Sequence, residues 1–507
     1  MKRKSFIMML TIVLSTVMLL AGCGDKNGNS TASPSETAGS TGTTGKDLKP
    51  YEVVIAFYGN EQKDMQAVQD EMSKITKEKF NATVKLLPIG VSAWAQQTNL
   101  MLASNEKVDL MFTSPLFNYA TQVAKGQLHS LDEMLDKYGA GIRQSLEPYQ
   151  LAASKINGQH YAVPNVRDMA AYYGLMMRKD LVDKYHIDIS KIKTINDLDA
   201  VFQTIKENEP EVMPLVAKNP GTAPFTAGYS TFDALGDSIG VLPNYDNGMQ
   251  VVNWFETKEY ADQLTILRRW YQAGYLLKDA ATGKQDGREL VKAGKAFSFL
   301  SNMGPGSDAE SSRKLGMEMI SVPLTPTYTT TDLITALMWS IPKNSEDPER
   351  TMMVLDMLYS DKDFYNLFAW GIEGKHYVKK SDNVIDFPSG VDIKNVGYNF
   401  GTPYMFGNEF LSYTWSTQDP DTFKKLDEFN KTAKQSKALG FNFNVENVKT
   451  EMATVSSVRS EFRLGLETGT LDPAKELPKF NEKLKAAGID KIIAEKQRQL
   501  DEWAKNK

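Results

Sequence analysis

Few residues in this chain have the type and spacing for covalent chemistry. Gly236-Asp237-Ser238-Ile239-Gly240 matches the five-residue spacing of a nucleophile elbow, and His376 lies downstream. That motif needs a strand entering the serine and a helix leaving it, because the sharp turn is what exposes the Oγ. Gly240 is instead followed by Val-Leu-Pro-Asn-Tyr-Asp-Asn-Gly, so the segment reads as a loop and no catalytic residue is assigned. His129, His160, His186 and His376 stand far apart, with no partner at metal-ligand spacing, so no metal is expected. Neither G-x-x-x-x-G-K nor G-x-G-x-x-G occurs, and no nucleotide or other cofactor is expected. The paired carboxylates of a glycosidase leave no sequence signature among 63 acidic residues. A secreted, lipid-anchored hydrolase acting on polysaccharide is therefore kept as the alternative to the reading below.

The remaining reactive group is Cys23, the only cysteine in 507 residues, which rules out an internal disulfide framework. Lys2, Arg3 and Lys4 precede an apolar run from Phe6 to Leu20, about 15 residues, where a bilayer span needs roughly 20. The run ends in Leu20-Ala21-Gly22-Cys23, which resembles a bacterial lipobox. Small residues before Cys23 fit the narrow pocket of a signal peptidase, and the thiol becomes a thioether to diacylglycerol. Residues 1–22 thus read as a lipoprotein signal peptide. The mature chain would be held by lipid, palmitate included, on the extracellular face of the cell membrane, as in a Gram-positive organism. Residues 23–49 read as its tether. Gly24–Lys49 holds 5 Gly, 4 Ser and 5 Thr in 26 positions, too little apolar surface to offset the entropy of ordering.

The body, about 460 residues from Tyr51, is too long for one core and predicts two or three lobes. Removing the three leader cations takes the formal net charge from −5 to −8, and no Lys/Arg block remains to suit nucleic acid. Val53 to Phe57 is a continuous apolar run, the mark of a parallel strand buried on both faces. A helix follows through Met65, Val68, Met72 and Ile75, closed by Asn81 as a left-handed cap. Ala82–Ile89 and Val108–Phe112 read as strands around a helix over 93–104. This β-α-β-α-β order implies a doubly wound sheet, in which ligands bind beyond the carboxyl ends of the strands. Tyr58-Gly59-Asn60, Gly90-Val91-Ser92 and Thr113-Ser114 fall there by topology. A second α/β series runs through strands near 172–178, 213–217, 317–323 and 336–342. It also includes a helix from Thr194 to about Asn208, one carrying Tyr260, Leu264, Leu267 and Tyr271, and one capped by Asp347-Pro348. The C-terminal stripe Ile489, Ile492, Ile493, Leu500 and Trp503 must pack on a core.

Trp370-Gly371-Ile372-Glu373-Gly374-Lys375-His376-Tyr377 resembles the GIEGKHY signature of a sugar-binding lipoprotein branch often labelled LipO or LplA-like. Leu267–Asp279 and Leu477–Leu484 through Trp503 are similar to the same branch. With the lipobox and tether, the mature chain resembles the extracellular solute-binding lipoproteins of carbohydrate ABC importers. The resemblance implies a two-lobed, periplasmic-binding-protein-like (type II) fold with a hinge and a central cleft. It also implies a monomer with no enzymatic activity, which closes on an oligosaccharide and delivers it to ABC permease subunits. The expected lobes are residues 50–166 with 325–380, and 167–324 with 381–507. The chain would cross between them near 165–172, 322–335 and 380–400.

A sugar offers C–H patches on its ring faces and hydroxyls at its edges, so a binder needs aromatic platforms and planar polar groups. Trp94 and Tyr58 qualify by lying at the first binding edge, and Arg167 by standing beside Asp168 at the first crossing. Trp254 opens a helix of the second lobe, Trp339 lies in a strand, and Trp370 and Glu373 enter the signature loop. Trp270 and Trp503 are expected to pack.

Overall fold

The protein is described here by a computed structural model covering residues 48–225 and 232–506. The signal peptide and nearly all of the tether lie outside those residues. The first sheet has the order Ala82–Ile89, Tyr51–Tyr58, Leu110–Thr113, Met338–Ser340, Val163–Pro164. Its first three strands are parallel, Tyr51 opposite Ala82 and Tyr58 opposite Ile89. Met338–Ser340 runs antiparallel to its neighbours. Val53, Ile55, Ala56 and Phe57 are fully buried, as a strand covered on both faces requires. Helix Met65–Phe80 covers the sheet with Val68 and Met72 and ends at Asn81, whose φ of 52° is the expected left-handed cap.

The second sheet has the order Met319–Pro323, Tyr172–Arg178, Ala296–Met303, Met213–Val216. Ala296–Met303, absent from the sequence reading, is its long inner strand: Ala296 to Leu300 are buried. Helices Leu198–Asn208 and Lys258–Gln272 pack on this sheet through Val201, Phe202, Ile205, Leu264 and Leu267. Helix Ile489–Lys505 buries Ile489, Ile492 and Leu500 as the stripe requires, and on the same face it buries Lys496. The buried ammonium is neutralised by Asp237 at 2.6 Å. These are the two lobes of an α/β, type II binding-protein fold, each with its own hydrophobic core. Among the described residues no helix is long and apolar enough to cross a membrane.

The third crossing is not where punctuation placed it. Ile385, Tyr398, Met405, Phe406 and Tyr413 belong to the first core, so the segment after 380 stays with the first lobe rather than joining the second. Pro388 and Gly390 mark a surface turn within that lobe. The chain returns to the second lobe only around residues 416–441: Trp415 packs on the first core, while Phe441 packs with Leu235, Leu242 and Leu500.

The three crossings lie side by side. Ala171 and Tyr328 exchange backbone hydrogen bonds of 2.9 Å, and Tyr328–Thr329 pairs in parallel with Lys434–Gln435. Asn430, almost wholly buried, donates from Nδ2 to the Arg167 carbonyl at 2.6 Å and accepts from the Met169 N–H at 2.9 Å. Asn430→Ala leaves a buried carbonyl and a buried N–H unpaired, each costing roughly 1–3 kcal/mol. Urea denaturation should show a loss of about 2–6 kcal/mol, and an unchanged midpoint would show that this side chain does not pin the crossings.

Candidate functional site

The crossings decide which sheet edges face each other. One connection leaves the carboxyl end of Val163–Pro164 and enters Tyr172–Arg178; the next leaves the carboxyl end of Met319–Pro323 and returns to Met338–Ser340. Beside these ends in the first sheet lie the carboxyl ends at Tyr58, Ile89 and Thr113, and in the second sheet those at Val216 and Met303. The space between the two edges is the interlobe cleft.

The first-lobe edge exposes apolar groups among polar ones such as Asn60 and Ser92. Leu116 is 82% exposed and Val91 68%, each directly after a parallel strand, with Phe117 half-buried beside Tyr58. Under them sits an aromatic slab. Tyr58 stacks on Phe112 at 5.3 Å and Phe112 on Trp339 at 4.1 Å, while Trp94 meets Tyr58 edge-on at 4.4 Å. The Tyr58 hydroxyl and Ser114 Oγ are buried at this edge without hydrogen-bond partners. Burial alone pushes the Tyr58 phenol upward, so it stays protonated and able to donate.

Beyond Val163–Pro164 lies a polar cluster. Arg167, nine-tenths buried, donates from one terminal nitrogen to Asp168 Oδ1 (2.5 Å) and from the other to the Leu333 carbonyl (2.8 Å). Its Nε has no partner. Glu409 is held next to it through its own N–H to the Val166 carbonyl at 2.9 Å. Burial, with repulsion from Asp168 and Glu310 only partly offset by Arg167, pushes the Glu409 carboxyl up to about 8. Glu310 belongs to helix Ser307–Leu315, packed with the second sheet, so its field on Glu409 and Tyr404 acts across the cleft. A second link between the lobes joins Asp332 Oδ2 to the Gly236 N–H at 3.1 Å.

The sequence-named residues divide sharply. Tyr58 and Arg167 reach the cleft edge. Trp94, 1% exposed, and Trp339, fully buried, support that edge from beneath and offer no face to a ligand. Trp254 packs against Phe232 and Tyr260 in the second core. Trp370 donates to Ser412 Oγ at 2.9 Å and packs edge-on to Trp415. Glu373 pairs with Lys379 beside Glu71 and Lys74, in a groove lined by first-lobe residues alone. A tryptophan's large apolar area is the reason: packing it against a core gains more than leaving it at an edge. The signature loop is a structural clamp. His376 accepts from the Ile372 N–H through Nδ1, leaving Nε2–H to bond Asp64 at 3.1 Å, and Lys375 pairs with Asp64 as well. Burial holds the His376 imidazole below its ordinary value, so it serves as a neutral bridge.

Ser238 sits in a turn with φ 58° that leads into strand Gly240–Pro243, the reverse of a nucleophile elbow. Leu116, Tyr404, Glu409, Glu310 and Asp332 escaped the sequence reading. Leu116 follows Thr113-Ser114 closely enough to have been included. The others become neighbours only when the lobes assemble.

The matching family model spans residues 58–363, bacterial extracellular solute-binding protein. The chain belongs to that family. Residues 437–505, the C-terminal helices, match a second model described only as a domain of unknown function, DUF3502. A carbohydrate ABC transporter substrate-binding protein of Streptococcus pneumoniae serotype 4 (strain ATCC BAA-334 / TIGR4) is 29% identical over 499 residues, 96% of each chain. Lipoprotein LipO of Bacillus subtilis (strain 168) is 24% identical over 318 residues, 59% of this chain and 62% of LipO. The crystal structure of the N-glycan transport solute-binding protein NgtS from Streptococcus pneumoniae superposes with a TM-score of 0.81 at 26% identity. The match covers 90% of this chain and 100% of NgtS. NgtS in complex with Man1GlcNAc gives 0.73, and with Man5GlcNAc 0.70.

Asp332 provides a pH test of the interlobe link. Burial and the neighbouring Asp233 and Asp237 push its carboxyl up to about 7, against the Gly236 N–H and Lys496, which favour the anion. A raised carboxyl binds its proton more tightly when folded, so its stabilising contribution is complete below about 4 and is lost as pH rises toward 7. Asp332→Asn, neutral at every pH and still able to accept from Gly236, should therefore gain stability relative to wild type between pH 4.5 and 7.5. Urea midpoints that differ by the same amount at both pH values would contradict this assignment.

Proposed function

We propose that this protein captures an oligosaccharide between its lobes, closes on it, and presents it to the permease of an ABC importer while tethered outside the cell by lipid on Cys23. The observation that carries the reading is the mixed character of the cleft. Exposed Leu116 and Val91 with Phe117 suit the C–H face of a pyranose. The unpaired Tyr58 hydroxyl and Ser114 Oγ suit its hydroxyl edge. The relatives support the same class, since the names of the pneumococcal proteins refer to carbohydrate and N-glycan transport.

The three NgtS superpositions support closure. Identity is 26–27% in each, so the fall in TM-score from 0.81 to 0.73 and 0.70 with bound glycan reflects a change of shape rather than of sequence. A ligand touching both edges shifts the lobes by its differential affinity for the closed state. The permease then meets a shape that reports occupancy.

A ligand at a hundredfold excess over its Kd adds about 2.7 kcal/mol of stability, a shift of a few degrees at most for a body this size. Oligosaccharides should raise the melting midpoint and leave the solution free of new reducing ends, while amino acids and peptides leave the midpoint unchanged. A peptide that shifts the midpoint when no sugar does would refute the carbohydrate reading, and new reducing ends would favour a hydrolase. For the anchor, wild type should enter the detergent phase and Cys23→Ala should not; equal aqueous partitioning of both would remove the lipid.

A further inference from the structure

Tyr58, Ser114 and Arg167 all hold the cleft from the first-lobe side. A ligand draws two lobes together only if the second edge holds it as well. Trp254 and Trp270 are buried in the second core and cannot supply that hold. The edge does carry Lys218, two residues past Val216. Val216 stands opposite Phe299 in the parallel pair with Ala296–Met303, and continuing the register brings Lys218 level with Ser301. The Lys218 ammonium donates to Ser301 Oγ at 2.7 Å and lies 5.9 Å from the centre of the Phe299 ring. Among the described residues it forms no ion pair, so two of its three N–H groups are left for an acceptor outside the protein. The charges that act on it most strongly are matched among themselves. Arg288, on helix Gly287–Lys292, pairs with Asp286 at 2.7 Å, and Lys314 pairs with Glu310. Asp308, on the same helix as Glu310, accepts from the Ser321 hydroxyl. A half-buried ammonium without a counter-ion is costly to keep, and burial pushes Lys218 below the ordinary lysine value.

The place of Lys218 in its sheet sets what it meets. Strand Met213–Val216 is two strands from Tyr172–Arg178, where the chain enters the second lobe. Strand Tyr51–Tyr58 is likewise two strands from Met338–Ser340, where the chain returns to the first lobe. At about 4.8 Å per strand, Lys218 and Tyr58 each stand roughly 10 Å out from the crossings, on opposite sides of the cleft. We infer that Lys218 is the second lobe's donor to the captured glycan. It binds hydroxyl oxygens of the sugar that Tyr58 and Ser114 meet from the first lobe, and this bond favours closure. The inference rests on the oligosaccharide reading and deepens it by naming the contact made by the opposite lobe. A bond from an ammonium to a sugar hydroxyl is charge-assisted, and it forms only when the two edges approach. Without sugar the same ammonium is poorly solvated, while its aliphatic stem can still lie along Phe299.

The test is calorimetric titration of the full mature chain with uncharged pentasaccharides cut from mannan, xylan and chitin, beside melting midpoints of the sugar-free protein. Wild type should bind at least one of these probes. For that probe Lys218→Met should weaken binding by about 10- to 100-fold, the scale of a lost charge-assisted hydrogen bond. Lys218→Arg, which keeps a cation at the edge, should bind more tightly than Lys218→Met. The sugar-free midpoint of Lys218→Met should equal or exceed that of wild type, because an unmatched half-buried charge is gone. At saturation, small-angle scattering should show a smaller fall in the radius of gyration for Lys218→Met than for wild type. Unchanged affinity in Lys218→Met would overturn the inference and leave the carbohydrate reading intact. Weaker binding together with a lower sugar-free midpoint would also overturn it, since a packing residue behaves that way. Equal binding by the Arg and Met variants would refute a role for the charge, and an equal fall in radius would refute a role in closure. Binding of none of the probes by wild type would overturn the carbohydrate reading and this inference with it.

Discussion

The lobes keep their relation to each other through one short piece of paired backbone. Three crossing segments meet as a narrow ribbon, Ala171 against Tyr328 and Tyr328–Thr329 against Lys434–Gln435. Asn430 reaches from the third segment to both sides of the first, and Thr329 Oγ1 closes the set by donating to the Met169 carbonyl at 2.6 Å. Every other interlobe feature follows from this ribbon. It fixes which sheet edges face each other, and it leaves those edges joined at one end only. A rotation about it changes the cleft while each core stays intact, because the cores are separate and close-packed.

The cleft divides its chemistry between what is rigid and what must approach. Tyr58, Ser114 and the aromatic slab belong to one sheet, so their spacing survives any lobe movement. The Asp332–Gly236 bond joins opposite lobes, and Glu310 acts on Glu409 from the other lobe through its field alone, so both are sensitive to it. The edge proposed to recognise a sugar ring is therefore preorganised, and the groups that would respond to occupancy lie across the gap.

The sequence was most legible where a residue's neighbours in the chain are also its neighbours in space. A continuous apolar run such as Val53 to Phe57 can only be a covered strand, Asn81 suits a left-handed cap, and Asp347-Pro348 starts a helix whose Arg350 N–H is bonded by the Asp347 carboxylate at 2.9 Å. Legibility failed where the outcome depended on distant segments. Pro388 and Gly390 announce a turn but carry no information about which core the turn leaves. Nothing in Trp94 or Trp339 as residues separates a ligand platform from the slab beneath one; only the assembled sheet does. Glu409 and Arg167 lie far apart in sequence and meet through the pairing of Val166 with Asn408, which no periodicity encodes.

The proposed function depends on a hinge that closes over a sugar held at the cleft edges. Small-angle scattering of the mature chain, titrated with an oligosaccharide whose saturation is followed by calorimetry, measures this most directly. The radius of gyration should fall in step with occupancy and reach its minimum at saturation. A radius unchanged at full occupancy would contradict hinge closure as the signal this protein carries.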